Sequence, residues 1–420
     1  MIVLVTGSRG FLGRHLVTAL QADGHVVIAG VSARSPSPGP RTMAMDFTRD
    51  VDAETWLARI EGLDCVINTV GIIAEDGAQT FATVHVAAPE ALFAACAARD
   101  VRAINVSALG ADAEAQTAFH RSKRAADEFL LAHHSSAVVV QPSLVFGPEG
   151  ASARLFATLA TLPLIPLPGR GEQRIQPVHV ADAATAIARL VRDTRFDGQR
   201  ITLVGPAPVA YRDFLAELRR ALGLPRARFL AVPRVLTSLG VRLLAAFGSR
   251  LATADALAML ERGNTADAGP MTTILGRQPR PVSAFIAPEA RADARRDAQR
   301  RWLLPLARVS LALVWLAGAA TSAGLYPIPE SLALLAPLGV TGTPALALLY
   351  GGVAVDLAFA VATLAWPRRR LWQAQAAVIV FYTLVISAFL PQFWLHPYGP
   401  IVKNLPILAL LAVLHAESPR

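Results

Sequence analysis

Three glycines near the N-terminus have the spacing of a phosphate-binding turn. Gly7, Gly10 and Gly13 lie in TGSRGFLG, directly after the apolar run MIVLV and before a stretch with helical apolar spacing. At these positions a missing side chain permits a tight turn, a close approach of the backbone to a pyrophosphate, and helix packing. The N-terminus of the following helix also favours an anion. The loop therefore predicts a dinucleotide site.

One lysine is unusual in a chain so rich in arginine. Lys123, in AFHRSKRAADEFL, is one of only two lysines among 40 basic residues, the other being Lys403. An ammonium is a compact donor of three hydrogen bonds, whereas a guanidinium is a planar fork. Because a position that needed only positive charge would usually be arginine here, Lys123 indicates a specific contact. A solvated lysine on a helix face is the alternative.

Two polar residues lie deep within apolar runs of the C-terminal part. Asp356 lies about ten residues, or about 15 Å, before the end of one run, and Tyr382 lies about eleven residues after the start of the next. An ionisable group at that depth in a membrane is expensive and usually functional. Since consecutive spans are antiparallel, a hydrogen bond between the two side chains is feasible. A structural pair, a quinone site and a proton site remain alternatives.

The elements that position the glycine loop and Lys123 are short apolar runs typical of buried strands. MIVLV, HVVIAGV, LDCVIN, VRAINVS and AVVVQPS are separated by stretches with helical spacing. The first unit is strand, helix, strand, which implies a parallel right-handed crossover. Residues 1–290 are therefore predicted to form an α/β domain, a Rossmann-like doubly wound parallel sheet. Residues 200–290, with helical runs at 211–222 and 233–247, are predicted to form a small C-terminal lobe that completes a cleft.

The C-terminal part has the composition of a membrane domain. From Val309 to Pro367 the only charged residues are Glu330 and Asp356. Apolar runs long enough to cross a bilayer predict an all-α four-helix transmembrane domain over residues 306–420, after a basic juxtamembrane linker at 291–305. The spans are placed near 306–325, 344–366, 372–390 and 399–415.

The arginines around these spans predict their orientation. They cluster before the first span and between the second and third. The positive-inside rule then places both termini and the nucleotide-binding domain in the cytosol. The predicted location is the cell inner (cytoplasmic) membrane, which the chain crosses several times.

Composition excludes two other classes of site. The net charge is +9, but the arginines are scattered or flank apolar runs, and no basic stripe alternates with aromatic residues, so we expect no binding of nucleic acid. Cys65 and Cys96 are the only cysteines, and no Cys/His cluster has metal-ligand spacing. No metal site is expected, and the soluble part is predicted to lie in a reducing compartment.

Several segments resemble the extended and atypical branches of the short-chain dehydrogenase/reductase superfamily. The loop reads TGxxGxxG, NTVG (68–71) is similar to the motif after the fourth strand, and PSLVFGP and PVHVADAA resemble extended-branch signatures. SALGADA and HRSK are most similar to NAD(P)-binding proteins that resemble an accessory subunit of respiratory complex I. In the C-terminal part GVTG, YGGVAVDLA, RRRLW and LHPYGPIVKNLPILAL resemble a DoxX-like four-helix membrane domain.

The resemblance implies roles for a small set of side chains. In the superfamily a Tyr-x3-Lys pair on a helix transfers the proton, and its lysine binds the nicotinamide ribose and lowers the phenol pKa. Lys123 matches that lysine, but Phe119 occupies the tyrosine position and has no proton to give. Ser107 matches the serine that polarises a substrate carbonyl, although it could be an ordinary cap at a strand end. Lys123 and Ser107 are the catalytic candidates.

The end of the second strand bears on the choice of cofactor. NAD sites place Asp or Glu there to bind the ribose 2′-hydroxyl, but VSARS contains no acid, and the next one is Asp46. Arg9 and Arg34 could hold a 2′-phosphate, which favours NADP, with NAD as the alternative. Asp46 resembles an acid beside the adenine, or is a loop acid. The predicted cofactor-binding residues are Gly7, Ser8, Arg9, Gly10, Phe11, Leu12, Gly13, Arg34, Asp46 and Lys123.

Two functions from different classes remain open. The first is a membrane-anchored NAD(P)H-dependent oxidoreductase with a quinone or flavin as acceptor. The second is a catalytically inactive nucleotide-binding protein that stabilises or regulates a membrane protein assembly. Phe119 favours the inactive nucleotide-binding protein, whereas Asp356, deep within an apolar run, is compatible with the oxidoreductase. Fold resemblance alone cannot choose between them.

Overall fold

The computed structural model describes residues 1–33, 41–246, 254–397 and 399–418, and for residues 241–246 it describes only the backbone. The chain divides into two compact units, Met1–Ala298 and Gln299–Arg420. The predicted domain boundaries remain predictions. Residues 291–305, expected to form a linker, are the first half of one long helix.

A seven-stranded sheet, parallel throughout, forms the centre of the N-terminal unit. The strand order reverses beside β1 (Ile2–Thr6), because the chain moves outward to β2 (Val26–Ser32) and later crosses back to β4 (Cys65–Asn68) on the other side. Such a switch point opens a crevice at the carboxyl ends of the strands, where α/β proteins bind ligands. The predicted doubly wound fold is confirmed. From edge to edge the strands are β3 (Thr42–Met45), β2 (Val26–Ser32), β1 (Ile2–Thr6), β4 (Cys65–Asn68), β5 (Arg102–Val106), β6 (Val138–Pro142) and β11 (Gln199–Leu203).

Helices cover both faces of this sheet. On one face Val3, Val5, Leu16 and Leu20 belong to one buried cluster, and on the other Leu4 belongs to a second. Because successive strand residues point to opposite faces, the unbroken apolar run of β1 is what a sheet covered on both sides requires. The first face carries α1 (Phe11–Ala22), α6 (Val180–Leu190) and α10 (Gly269–Leu275), and the second carries α2 (Ala53–Arg59), α3 (Ala88–Arg99) and α4 (Ala118–His133).

The small lobe packs around a third apolar cluster that includes Phe146, Tyr211 and Phe214. Its boundary differs from the prediction, since β11 at 199–203 is the edge strand of the main sheet. Helix α7 (Tyr211–Ala221) corresponds closely to the helical run predicted at 211–222. Helix α8 begins at Arg234, one residue after its predicted start. The lobe contains β7 (Val145–Phe146), β8 (Ile165–Pro168), β9 (Arg174–Ile175), β10 (Val178–His179), β12 (Val209–Ala210), β13 (Phe229–Val232), α5 (Ala151–Thr161), α7 (Tyr211–Ala221), α8 (Arg234–Ala246) and α9 (Ala254–Arg262).

The C-terminal unit is helical. Among the described residues, three helical segments are long and apolar enough to cross a membrane: Pro288–Leu325, Gly342–Ala365 and Arg369–Phe389. The predicted fourth span corresponds to a helix of only 14 residues. A short helix between the first two spans was not predicted. The helices are α11 (Arg291–Ala320), α12 (Ile328–Ala333), α13 (Gly342–Ala365), α14 (Arg369–Phe389) and α15 (Asn404–Glu417).

Candidate functional site

The loop between β1 and α1 is built from close backbone contacts. Gly7 has a φ of 67°, in the left-handed region that favours glycine. A Cβ on Gly13 would lie 2.3 Å from the carbonyl oxygen of Gly7, and one on Gly10 would lie 3.0 Å from it. The N–H and the hydroxyl of Ser8 both donate to the carbonyl of Gly30, at 3.1 and 2.8 Å. The turn therefore needs its glycines, and Ser8 ties it to β2.

A cavity of about 420 Å³ lies beside this loop, at the carboxyl ends of the central strands. Its lining includes Gly7, Arg9 and Gly10 from the loop, Asp46 after β3, and Gly71 after β4. The volume is in the usual range for a small-molecule site. These residues fit a dinucleotide, because the glycines leave backbone exposed beside a helix N-terminus and the cavity lies at the switch point.

Asp46 is held in a fixed turn at the rim of this cavity. Its Oδ1 accepts hydrogen bonds from the N–H and the hydroxyl of Thr48, at 3.0 and 2.7 Å. Its own N–H donates to Asp50, which forms an ion pair with Arg59. The carboxylate of Asp46 is thus in a defined position where it can meet the adenosine half of a dinucleotide. Arg34, the other residue expected there, lies outside the described residues.

Phe11 and Leu12 were predicted as cofactor contacts, but the cavity lining includes neither side chain. The Phe11 ring packs against the loop at 147–150, where a Cβ on Gly147 would lie 2.9 Å from its Cζ. Leu12 packs against the buried cluster beneath α1. In the structure both side chains hold helix α1 in place.

Lys123 lies next to the cavity. Its side chain is buried, and its Nζ donates to the carbonyls of Val70 and Val106, at 3.3 and 3.2 Å. A Cβ on Gly71, which lines the cavity, would lie 3.0 Å from this Nζ. Burial lowers the pKa of Lys123, and the Asp127 carboxylate opposes that change. The alternative of a solvated lysine on a helix face is therefore wrong.

Asp127 is a buried carboxylate that the sequence analysis missed. It lies four residues after Lys123 on α4 and is fully buried. Ser107 donates to its Oδ2 at 2.5 Å and Asn105 donates to its Oδ1 at 2.8 Å. Burial raises the pKa of Asp127, while these donors and Lys123 lower it. The Ser107 proton points to Asp127, so the hydroxyl can still accept a hydrogen bond but has no proton left to donate. This arrangement differs from the predicted role, in which Ser107 donates to a substrate carbonyl.

A chain of side-chain hydrogen bonds connects Asp127 with the strand before the glycine loop. Thr6 donates to Asn68 at 2.8 Å, and Asn68 donates to Asn105 at 2.9 Å. Asn105 in turn donates to Asp127. Thr6, Asn68 and Asn105 stand at or near the carboxyl ends of β1, β4 and β5, and all are buried. This series of hydrogen bonds therefore crosses three strands beneath the candidate site.

Phe119 belongs to an aromatic group that offers no proton. Its ring packs edge-on against His85 and Phe81, with centroids 5.6 and 6.3 Å apart. The His85 Nε2 accepts from the N–H of Ile72 at 2.9 Å, so the proton is on Nδ1, which faces the Ser122 hydroxyl at 2.9 Å. Burial and the nearby Lys123 lower the pKa of His85 to about 3. His85 is therefore neutral at physiological pH, with both ring nitrogens engaged.

The loop after Ser107 is held by the small lobe. Arg262 of α9 donates to the carbonyl of Gly110 at 2.9 Å and to both carboxylate oxygens of Asp112, each at 2.7 Å. The amide of Asn264 donates to the carbonyl of Leu109 at 3.4 Å. The small lobe thus fixes the loop that follows Ser107 beside the candidate site.

The predicted polar pair in the C-terminal unit is only partly assembled. Oδ1 of Asp356 is buried without a hydrogen-bond partner in the part of the chain that the structure describes. Oδ2 lies 2.9 Å from the position of a Cβ on Gly318, so glycine makes room for the carboxylate. The hydroxyl of Tyr382 is 4.0 Å from the corresponding position on Gly352, one turn before Asp356. The described contacts include no hydrogen bond between Asp356 and Tyr382.

A different polar link, which was not predicted, joins three helices of this unit. Trp315 of α11 donates to Gln375 of α14 at 2.9 Å, and Gln375 donates to Thr363 of α13 at 2.9 Å. All three side chains are buried. Such interhelical bonds stabilise helix association in a membrane by about 0.6–2 kcal/mol each.

Fold and site together define a Rossmann-type dinucleotide-binding domain joined to an apolar helical domain. Comparison with protein families agrees, since residues 3–205 match the NAD dependent epimerase/dehydratase family and residues 312–412 match a DoxX-like family. The predicted resemblance to short-chain dehydrogenases/reductases followed by a DoxX-like domain is confirmed. A dinucleotide is confirmed as the class of cofactor, and the choice between NADP and NAD is left open.

The curated relatives include a reductase and a subunit of an NADH dehydrogenase (ubiquinone). The chain is 31% identical over 194 residues to ceramide reductase of Caulobacter vibrioides, covering 46% of this chain and 61% of that protein. It is 29% identical over 255 residues to NADH dehydrogenase (ubiquinone) 1 alpha subcomplex subunit 9 of Arabidopsis thaliana, covering 56% and 63%. The chain thus spans less than two thirds of the length of either relative.

Solved structures support the fold. A nucleoside-diphosphate-sugar epimerase from Staphylococcus aureus superposes with a TM-score of 0.56 at 18% identity, over 68% of this chain and 99% of that one. At this identity the likeness concerns the fold alone.

Proposed function

We propose that the protein is a membrane-anchored NAD(P)H-dependent oxidoreductase whose electron acceptor is a quinone or a flavin. The observation that carries the proposal is the buried group of Lys123, Asp127 and Ser107 beside the dinucleotide cavity. A buried ammonium and carboxylate are costly to maintain and are concentrated at functional sites. The similarity to a reductase supports the same reading.

The chain's own residues have distinct tasks in this proposal. The glycine loop binds the pyrophosphate and Lys123 binds the nicotinamide ribose, while Asp127 keeps the ammonium charged. The bound cofactor supplies a hydride. Because Phe119 has no proton and His85 is neutral with both nitrogens engaged, neither of these two side chains can supply the proton that the family tyrosine gives. An acceptor that takes its proton from water, such as a quinone, therefore suits the site.

A catalytically inactive nucleotide-binding protein is the second candidate, and Phe119 is the observation that favours it. Such a protein would need the glycine loop and Lys123 but no tyrosine proton. The similarity to a complex I subunit is compatible with a role in stabilising or regulating a membrane protein partner. In this case Asp127 would serve only to stabilise Lys123.

Location and the membrane residues complete the proposal. The arginines before α11 and between α13 and α14 support an inner (cytoplasmic) membrane location with the nucleotide-binding domain in the cytosol. Asp356, with its unpartnered oxygen, is proposed as a proton or quinone site, and Tyr382 as a neighbour that could reach it after a small movement.

The central test uses the purified full-length protein in detergent with NADPH and a short-chain quinone, while the absorbance of the reduced cofactor is followed. The oxidoreductase proposal expects steady oxidation that depends on protein and quinone, and that is lost in Lys123→Ala. Binding of NADPH without oxidation by a quinone or a free flavin would instead support the inactive protein.

Phe119→Tyr should separate the two functions further. The new hydroxyl would be carried on α4, one turn from Lys123, and could supply the missing proton. We expect a latent carbonyl reductase activity to appear while NADPH affinity stays nearly constant, measured with simple aldehydes and ketones. Phe119→Leu is the matched control and should show no such activity. If wild-type protein already reduces ordinary ketones at enzyme-like rates, and Phe119→Tyr makes no difference, Phe119 is not a lost acid.

The preference for NADPH is tested at Arg34. Arg34→Ala should cost about 1–3 kcal/mol of NADPH binding, the range for a hydrogen bond to a charged group, with little change for NADH. Titration of both cofactors by fluorescence measures the difference. Equal losses of affinity for both cofactors would show that Arg34 does not hold the 2′-phosphate. A preference of the wild type for NADH would indicate that Asp46, and not Arg34, binds the adenosine half of the cofactor.

A further inference from the structure

One segment of the small lobe has an unusual charge pattern. Residues 218–254 contain seven arginines and no aspartate or glutamate, together with many leucines and valines. The lining of the nucleotide cavity includes none of the described residues of this segment. Basic side chains interspersed with exposed leucines and valines are typical of segments that lie at a membrane surface.

The structure exposes several apolar side chains in the described part of this segment. On β13, Leu230 is 49% exposed, and on α8 Val235 is 76%, Leu236 57% and Leu239 52% exposed. Val235 and Leu236 lie four and three residues before Leu239, the spacings that place side chains on one helix face. A soluble surface carries single exposed apolar residues, whereas a contiguous group rimmed by polar residues indicates a contact surface.

Arginines flank these apolar side chains. Arg226 and Arg228 precede β13, Arg234 begins α8, and all three are exposed. Arg234 lies 3.4 Å from Glu261, an ion pair at the surface. We name these three arginines with Leu230, Val235, Leu236 and Leu239 the basic apolar face.

Strand β13, at the base of the basic apolar face, is anchored to the core of the lobe. The exposure of its apolar side chain is therefore not the result of a poorly packed segment. Strand β13 pairs with β8, whose Ile165 and Leu167 are buried in the core of the lobe. The buried Arg219 donates to the carbonyls of Pro225, Ala160 and Leu162, at 2.7, 2.7 and 2.8 Å. The loop before β13 is thereby fixed to α5, and the outer side of the segment remains available.

We infer that the basic apolar face docks on the anionic headgroup surface of the membrane. The helical unit of the same chain has segments that can cross a bilayer, so lipid is present at high effective concentration. The arginines match the phosphates of anionic lipids, at about 1 kcal/mol each near the surface. The leucines and valine are placed to enter the boundary between headgroups and acyl chains. This contact does not depend on any turnover at the nucleotide site.

The test uses full-length protein in vesicles of phosphatidylcholine with and without phosphatidylglycerol. A fluorophore is attached to Leu236→Cys or Leu239→Cys, since the native Cys65 and Cys96 are fully buried. Glu54→Cys, on the exposed side of α2, is the control. With anionic vesicles we expect quenching by nitroxide-labelled lipid and shielding from iodide at positions 236 and 239, and the reverse at position 54.

The combined change Arg226→Gln, Arg228→Gln and Arg234→Gln should lower the ratio of docked to undocked protein by roughly 100-fold, from the contribution of three arginines. High salt should have the same effect, and NADPH affinity should stay at the wild-type value, which shows that the fold is intact. Labels that iodide reaches and lipid does not quench would overturn docking. Labels shielded from both quenchers would also overturn it, because protein would then cover the face.

Discussion

Gly13→Ala is expected to abolish NADPH binding at concentrations that saturate the wild type. The added Cβ would lie 2.3 Å from the carbonyl oxygen of Gly7 and 3.0 Å from the Cα of Ser8. Both atoms belong to the backbone, so no side chain can move aside, and α1 must shift away from the loop that it orients. We expect a loss of about 1–3 kcal/mol in the free energy of unfolding, the range for overpacked sites.

The measurement is NADPH titration by fluorescence together with thermal unfolding of the full-length protein. Gly240→Ala is the matched control, because its methyl group would meet nothing within 4 Å and α8 should gain from the better helix former. Unchanged NADPH affinity in Gly13→Ala would refute a pyrophosphate contact at this loop. A loss in both variants would indicate general sensitivity of the fold.

The second large effect is expected from Asp127→Asn. Burial lowers the pKa of Lys123 from 10.5 and Asp127 opposes this, so removing the carboxylate lowers the pKa of Lys123 further. The ammonium is charged only below its pKa. In the wild type, affinity for NADPH should therefore fall as pH rises through the lowered pKa of Lys123, and in Asp127→Asn the fall should come at a lower pH.

At alkaline pH the variant should bind NADPH about 10- to 100-fold more weakly, the loss expected for one hydrogen bond from a charged donor. Lowering the pH should restore most of the affinity, which a damaged fold would not do. Glu128→Gln, one residue further along α4, removes the same charge from an exposed position and should leave the pH profile unchanged. Parallel profiles for wild type and Asp127→Asn would show that Asp127 does not hold the charge on Lys123.

The parts of the fold that follow from local pattern could be predicted. The apolar runs at β1, β2, β4, β5 and β6 and the glycine spacing are each contained in a few consecutive residues. Strand β11 was missed because QRITL is short and partly polar, and only its pairing with β6 makes it part of the sheet. The apolar spans were predictable for the same reason, since length and composition determine them.

The site was only partly predictable because its contacts join distant residues. Asp127 could have been predicted as a neighbour of Lys123, because it lies four residues later on the same helix, a spacing that brings side chains together. His85 is on a π-helical segment 34 residues before Phe119, and nothing in the sequence relates the two. The same holds for Trp315, Gln375 and Thr363, which meet only when three helices pack.

The hydrogen bonds from Thr6 to Asp127 all have the same direction, and this limits how the sequence can change. Each amide accepts on the side of β1 and donates towards α4, and the carboxylate ends the series because it can only accept. Replacing Asn68 or Asn105 alone by leucine leaves a buried polar partner without its hydrogen bond, which lowers the free energy of unfolding by about 1–3 kcal/mol. Replacing the amides and Asp127 together by apolar residues of similar shape can be nearly neutral for stability. In homologues these positions should therefore vary as a group, either all polar or all apolar, and a homologue with the apolar group should also have lost Lys123.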